Sequence, residues 1–512
     1  MFRRSVAPAL SVVVVVAIVL ALFTGSRYGT ATTFVLWVAV AGAAYLGMLA
    51  AHRQWSGLTP AGVVTAAAGL AVAAVAVPPR TTGDLWMYAA YGRMAARRLD
   101  PWTQVPALLP RDDLTRMAGH RWMHTPSMYG PAMVWIERVL ALFAGHSVLL
   151  TRLEYQLLAL AAIAASAAIV WRRTRSAGAL AFLLVNPAVV LYLVNGGRND
   201  ALVGLALLVA AVLTADGHDA LPGVVSALAV LVKLTAGIGV VALVAWLAVH
   251  RGRAPAARAA AAATAVVVGG TVLAGSDSLM VPFRRAGRIV SHGSAWELVS
   301  RLHLGTPPSR VAVVVAALLT VVVLLRHLRG RPALAFAAAL AAWTLALPYL
   351  LAGYLGWSLP TAALERRSRV GAVLAVDSVA LAVGYSAVRN PAHGWSDPLA
   401  HLAVLAMPVV ALVGLLVLLV ERPDRRGGRA IRGGSAQPAS TPAAKPGVVG
   451  WSGWSRSATS SGESWSRAGS TPSPASTATG AARPARRTSA ATRFVRWCRP
   501  SSSSTSAGSA TT

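Results

Sequence analysis

The residues best suited to chemistry stand where apolar runs end. Asp84 lies in Thr81-Thr82-Gly83-Asp84-Leu85-Trp86-Met87-Tyr88, directly after an apolar stretch. A carboxylate at a membrane surface can act as general base on a hydroxyl, because the neighbouring low dielectric raises its basicity. The same residue also suits the N-cap of a helix over 85–97, and the two roles are compatible. Lys233 interrupts two apolar runs, Val224–Val232 and Leu234–Val244. Of 47 Lys and Arg residues only Lys233 and Lys445 are lysine, so arginine is the default cation and this lysine stands out. A point charge for a phosphate fits it; a structural lysine snorkelling to the interface is the plainer role.

Other polar residues fall near the same membrane face. Asn195-Gly196-Gly197-Arg198-Asn199-Asp200 is a tight turn between apolar runs, placing an amide, a cation and an anion together. It reads equally as a helix break with an Asn or Asp cap. Arg152, near the start of an apolar run, needs a partner, with Glu154, Asp84 or a lipid phosphate available. A second polar stretch carries Arg284, Arg285, Arg288, His292, Glu297, Arg301 and His303, either to meet an anion or as a solvated loop face. Leu99-Asp100-Pro101-Trp102 and Thr125-Pro126-Ser127-Met128-Tyr129-Gly130-Pro131 are punctuated as turns.

The elements that position these residues are transmembrane helices. Of the 512 residues 56% are hydrophobic and 12% charged, with a mean hydropathy of +0.59. Soluble proteins carry about 25% charged residues, so a water-soluble enzyme is excluded. About fourteen apolar runs reach or approach the roughly 20 residues that cross a bilayer. They begin at Val6–Phe23, Thr33–Ala51 and Pro60–Val77 and end at Ala352–Leu364, Val370–Val388 and His401–Val420, Ala352–Leu364 being short. Longer polar stretches at about 78–147 and 275–310 read as exterior loops. The pattern predicts an all-α polytopic fold over 1–420 with both termini cytoplasmic. That orientation puts the Arg172–Arg175, Arg251–Arg253, Arg326–Arg331 and Arg366–Arg369 clusters inside, provided Pro131–Phe143 lies in the interface as an amphipathic helix.

From 421 to 512 Ser, Thr, Pro, Gly and Arg dominate, and the stretch reads as a disordered basic tail on the cytoplasmic side. It holds +11 of the chain's net charge of +30, leaving +19 for the helical body. The sole cysteine, Cys498, excludes an intramolecular disulfide and a cysteine metal cluster. Phosphate-cradling and zinc-hydrolase motifs are absent. Asp377, inside an apolar run, has no place in this scheme.

The ordered set resembles a known family. Asp84 opens the first exterior loop, followed by Tyr91-Gly92-Arg93, Leu99-Asp100-Pro101-Trp102, Tyr129-Gly130-Pro131, Asn186-Pro187, Asn199-Asp200 and Val232-Lys233-Leu234. Across Thr81 to Leu364 this resembles the GT-C superfamily of integral-membrane glycosyltransferases. Within it, the pattern is most similar to the actinobacterial polyprenol-phosphate-mannose-dependent α-(1→6)-mannosyltransferases that build the mannan core of lipomannan. One departure is Arg198, where such proteins often carry His before the Asn-Asp pair.

The resemblance implies a cell-envelope enzyme of the cytoplasmic membrane, with its active site on the outer face. It would move mannose from a polyprenyl phosphate to a growing mannan. Asp84 would be the catalytic base, and Lys233 with Arg152, Arg198, Arg284 and Arg285 would meet the donor phosphate. Tyr88, Tyr91, Arg93, Tyr129, Asn199 and Asp200 would position substrate. The partners implied are the lipid-linked donor, a glycan or glycolipid acceptor and membrane lipids, and no nucleic acid. No cofactor is required and no metal ligand is assigned, with a divalent cation left open. The alternatives are another lipid-linked sugar or acceptor, a lipid-linked glycan transporter or flippase, and a non-catalytic assembly partner.

Overall fold

A computed structural model of the chain describes residues 2–24, 31–109, 114, 117–285, 290–303, 309–388 and 398–420. The basic tail from 421, with Cys498, lies outside them. The described residues are helical, without strands, as the apolar patterning predicts.

The principal helices are α1 (Phe2–Thr24), α2 (Ala31–Trp55), α3 (Pro60–Ala76), α4 (Asp84–Ala96), α5 (Pro131–Ala144), α6 (Val148–Thr174), α7 (Ala177–Leu184) and α8 (Asp200–Ala215), with short helical turns at His120–Met123 and Trp296–Arg301. They continue with α9 (Ala220–Val232), α10 (Gly237–His250), α11 (Arg253–Ala274), α12 (Asp277–Arg285), α13 (Ser309–His327), α14 (Pro332–Ala346), α15 (Leu359–Leu364), α16 (Arg369–Val388) and α17 (Pro398–Val420). Seven of the described helices are long and apolar enough to cross a membrane: α1, α2, α6, α11, α13, α16 and α17. Exposed Val and Leu side chains along α1, α11, α13 and α17 suit a lipid surround.

Five further apolar helices are shorter, among them α8, α9 and α14. Their shortness has a local cause. α9 ends at Lys233, whose backbone is extended (φ −151°, ψ 112°), and α8 begins at Asp200 after the Gly196-Gly197 turn. Broken backbone at membrane depth is tolerated where protein buries it or it lines a cavity, and these breaks are buried.

Two of the predicted runs are not continuous helices. Gly178–Val194 stops after α7 and resumes as a π-helical turn, Val189–Val194. Pro187 lacks an N–H and disfavours helical backbone at Asn186. Asn186 caps the break, its Oδ1 accepting from the Ala188 N–H at 2.9 Å and its Nδ2 donating to Tyr45 and Ser378. Ala352–Leu364 folds as a 3₁₀ turn, Ala352–Trp357, followed by the six residues of α15. At 1.5 Å per residue α15 is only about 9 Å long and does not cross a bilayer.

A helix forms where the sequence predicts an amphipathic one over Pro131–Phe143, as α5. Pro131 occupies its first turn, and the helix buries Met133, Val134 and Glu137 against the protein. Trp135, Val139, Leu142 and Phe143 stay exposed on the other side. α4 crosses α5 at Gly92, where an added Cβ would stand 2.2 Å from the Glu137 carbonyl oxygen.

Candidate functional site

The segment leading into α4 is sewn onto the π turn. The Arg80 N–H donates to Asn195 Oδ1 at 2.9 Å, and Thr81 Oγ1 donates to the Leu191 carbonyl at 2.8 Å. Asn195 Nδ2 donates to the Ala74 carbonyl, closing α3 onto the same turn. This seam brings Asp84 to the turn that carries Arg198. Gly197 sits in that turn at φ +57°, and a Cβ there would stand 2.7 Å from Leu85 Cδ1.

Asp84 is the first residue of α4, and Gly83, not Asp84, occupies the N-cap position. The Asp84 carboxylate meets Arg198, with 2.5 Å between Oδ2 and Nη2. The Arg198 Nε lies 3.2 Å from Asp200 Oδ2, an ion-pair contact without the alignment of a hydrogen bond. Asp200 Oδ1 accepts from Lys233 Nζ at 2.8 Å and from the Trp357 indole N–H at 2.7 Å. The result is a chain of alternating charge, Asp84–Arg198–Asp200–Lys233, with all four residues buried. Burying single charges costs several kcal/mol each, so alternation is what makes the cluster tenable.

Aromatic rings enclose it. Lys233 Nζ lies 4.0 Å from the centroid of Tyr354, which stacks on Trp357 at 4.8 Å. Tyr129 is turned edge-on to Tyr88 at 5.0 Å, and the Tyr88 hydroxyl donates to Asn199 Oδ1 at 3.3 Å. Burial first, and then the Asp84 carboxylate, pushes the Tyr88 phenol well above its usual value. Burial with Tyr88 and Asp84 nearby does the same to Tyr129, so both stay neutral and able to donate at ordinary pH.

The predicted turns brace this enclosure. Asp100 accepts from the Trp102 N–H at 2.9 Å, and the Trp102 indole donates to the Tyr129 carbonyl at 2.8 Å. The Gly130 N–H donates to the Val232 carbonyl at 3.2 Å, tying Tyr129 to Lys233. A Cβ at Gly130 would stand 2.2 Å from the Leu231 carbonyl oxygen.

Asp84, Arg198, Asp200 and Lys233 thus form one cluster, with Tyr88, Tyr129 and Asn199 against it. Tyr91, whose ring lies 6.4 Å from that of Tyr129, and Arg93 tie α4 to the loop. The Tyr91 hydroxyl donates to the Thr125 carbonyl at 2.9 Å, and Arg93 donates to the Gly145 carbonyl. Arg152 and Arg284 make no ion pair with the cluster among the described residues. Arg152 is half-buried on α6 with no partner for its Nε, and Arg284 is exposed on α12. The Arg285 side chain and all of Arg288 lie outside the described residues. Glu297 pairs with Arg301 and faces His292, offsetting part of that loop's basic charge.

Sequence reading marks Tyr349–Trp357 only as a short outer turn and assigns neither Tyr354 nor Trp357 to the site. The signal was present in Gly353-Tyr354-Leu355-Gly356-Trp357, where glycines and aromatics interrupt an apolar run. Among the described residues no group of three or more His, Cys, Asp and Glu is placed to hold a metal ion. Asp377 is buried on α16 against Gly414, with neither carboxylate oxygen hydrogen-bonded.

A buried carboxylate beside two cations, with hydroxyl donors around it, can accept a proton and stabilise an anion in one place. A sequence profile of the family described as "Alpha-(1->6)-mannopyranosyltransferase, N-terminal domain" matches residues 3–250, which include all four charged residues of the cluster. Alpha-(1->6)-mannopyranosyltransferase A of Corynebacterium glutamicum is 28% identical over 178 residues, 34% of this chain and 36% of that protein. The A protein of Mycobacterium tuberculosis is 28% identical over 181 residues, 33% of this chain and 34% of that protein. Alpha-(1->6)-mannopyranosyltransferase B of C. glutamicum is 29% identical over 182 residues, 31% and 30% of the two chains. The chain spans about a third of the length of these curated relatives. No solved structure matches it.

Proposed function

For a chain related to the actinobacterial α-(1→6)-mannopyranosyltransferases, we propose that the protein transfers mannose from a polyprenyl-phosphate donor to a hydroxyl of a growing α-(1→6)-mannan. Transfer takes place on the outer face of the cytoplasmic membrane. The observation that carries this reading is the buried Asp84–Arg198–Asp200–Lys233 cluster. It sits where α4 and α8 begin and α9 ends.

Asp84 accepts the proton of the acceptor hydroxyl as that oxygen bonds to the anomeric carbon. The bond from that carbon to the phosphate oxygen breaks, and its electron pair leaves with the polyprenyl phosphate. Arg198 and Lys233 stabilise the charge on the departing phosphate, which is often the largest catalytic contribution. Direct displacement inverts the anomer, so a β-linked donor gives an α-linked product. Asp200 fixes both cations, and the Tyr88 and Tyr129 hydroxyls offer donors to the sugar. α5, which follows Tyr129 in the chain, presents an open apolar face of Ala132, Trp135, Ile136, Val139 and Leu140 that suits a prenyl chain.

Membranes carrying the protein are incubated with radiolabelled polyprenyl-phosphate-mannose and a short α-(1→6)-mannan. The expected result is elongated mannan with matching consumption of donor. Folded protein that leaves the donor intact, or accumulates glycan without consuming it, overturns the transferase reading.

A further inference from the structure

α8 starts at the site and α9 ends there, so their other ends mark the opposite side of the helical body. On that side arginines meet acids that the chain itself supplies. Arg173 pairs with Asp216, and Asp219 takes Arg251 and Arg258 at 3.1 and 2.7 Å. One group of cations there has no such partner. It consists of His52 and Arg53, near the end of α2, and Arg366 and Arg367, just ahead of α16. The neighbouring acid, Glu365, turns instead to Arg331 at 3.5 Å. Among the described residues no ion pair reaches Arg53, Arg366 or Arg367.

Packing gathers these cations where charge alone would spread them. A Cβ on Gly178 would stand 2.6 Å from both Arg366 Cζ and His52 Cδ2, so the glycine lets both side chains lie on the start of α7. Arg366 Nη2 and Nε lie 3.3 and 3.4 Å from Ser176 Oγ, the N-cap oxygen of α7. A half-buried guanidinium thus stands at the positive end of a helix dipole, where cations are disfavoured. Burial, then Arg367 and then Arg53, hold it below the usual arginine value. The positive-inside rule explains cations on this side. It does not explain why they crowd one helix start without an acid.

We propose that His52, Arg53, Arg366 and Arg367, with the start of α7, form a binding site for the phosphate of an anionic phospholipid headgroup in the cytoplasmic leaflet. Arginine forks match phosphate oxygens, and a helix N-terminus adds N–H groups to them. The level in the membrane favours a lipid. Membrane-spanning α2 ends at Trp55 and α16 begins at Arg369, so the cluster lies at headgroup depth, with Trp55 as an interfacial ring. Basic pockets between spanning helices on this face are suited to such headgroups. The chain beyond residue 420 is itself strongly basic and brings no excess of anion to the cluster. Lipid binding here does not depend on the transferase reading, and transfer does not enter the readout below.

The full chain, purified in detergent and stripped of lipid, is titrated with phosphatidylglycerol, phosphatidylcholine or glycerol phosphate, and native mass spectrometry reads what binds. Phosphatidylglycerol should bind more tightly than phosphatidylcholine, and glycerol phosphate should not displace it. Arg53→Gln combined with Arg367→Gln should weaken phosphatidylglycerol binding by about 25-fold, about fivefold for each arginine near the surface. Both positions are exposed, so this variant answers the question even if Arg366→Gln does not fold. Arg173→Gln removes a cation that already has its acid and should leave the lipid affinity unchanged. Equal binding of the two lipids, displacement by glycerol phosphate, an undiminished affinity in the Arg53 and Arg367 variant, or an equal loss in Arg173→Gln overturns the site.

Discussion

Lys233 Nζ and Asp200 Oδ1 lie 2.8 Å apart, both buried, at the end of α9 and the start of α8. The lysine that stands alone in the helical body is thus held by a carboxylate and by the face of Tyr354. A buried pair of this kind is costly to form and far costlier to half-remove. Lys233→Met should therefore lower stability by about 3–5 kcal/mol, because Asp200 then faces Arg198 and Trp357 alone. Lys233→Met combined with Asp200→Asn should be less destabilised than the sum of the two single changes, by about 0.5–3 kcal/mol. Thermal or denaturant unfolding of the four proteins in detergent measures that coupling; strict additivity refutes it.

Asp84→Asn keeps the shape of the side chain and removes its capacity to take a proton. Transfer should fall by about 10²–10⁴-fold, the usual contribution of a positioned base. Initial rates with radiolabelled donor measure this, with elution as a folded species as the control. Wild-type rates in a folded Asp84→Asn protein remove Asp84 from the base role.

Trp357→Phe leaves the stacking on Tyr354 largely in place and deletes the indole N–H that donates to Asp200 Oδ1. A hydrogen bond to a charged group contributes about 1.5–3 kcal/mol, so a loss of that order is expected in an unfolding transition. Trp343→Phe is the comparison, since the Trp343 indole N–H has no hydrogen-bond partner. It should cost less, and equal losses would remove the Trp357–Asp200 bond as a contributor.

Gly130→Ala should disable the site without touching a charged residue. Its Cβ would meet the Leu231 carbonyl oxygen at 2.2 Å and separate the Tyr129 segment from Lys233. Overpacking of this kind costs about 1–3 kcal/mol. Gly69→Ala, on α3 with nothing within 4 Å of the new methyl, should be neutral or slightly stabilising. Melting temperature and transfer rate of the two variants separate a backbone contact from a general effect of losing glycine.

Much of this was legible in the sequence because membranes impose a simple rule. A backbone surrounded by hydrocarbon must satisfy its own hydrogen bonds, so apolar runs become helices, and polar residues gather where those helices end. The all-α fold, the helix beginning at Pro131, and Asp84, Arg198, Asp200 and Lys233 as residues of interest follow from that rule and from residue type. What composition does not encode is partnership. An apolar run looks alike whether it faces lipid or protein: Pro187 and the glycines of Gly353–Trp357 signal breaks in their runs, but what those breaks pack against only the tertiary structure decides.

The pairing within the site is likewise a property of tertiary structure. Residue type marked Arg198 and Lys233 as cations for a phosphate, and Asp84 as a base. Only the seam between Arg80-Thr81 and the Leu191–Asn195 turn, and the descent of the Gly353–Trp357 segment onto Asp200, decided that these charges neutralise one another. Local sequence determines where a charge leaves a helix. Which opposite charge it meets depends on segments far apart in the chain, brought together because a buried charge without a partner is too costly to keep.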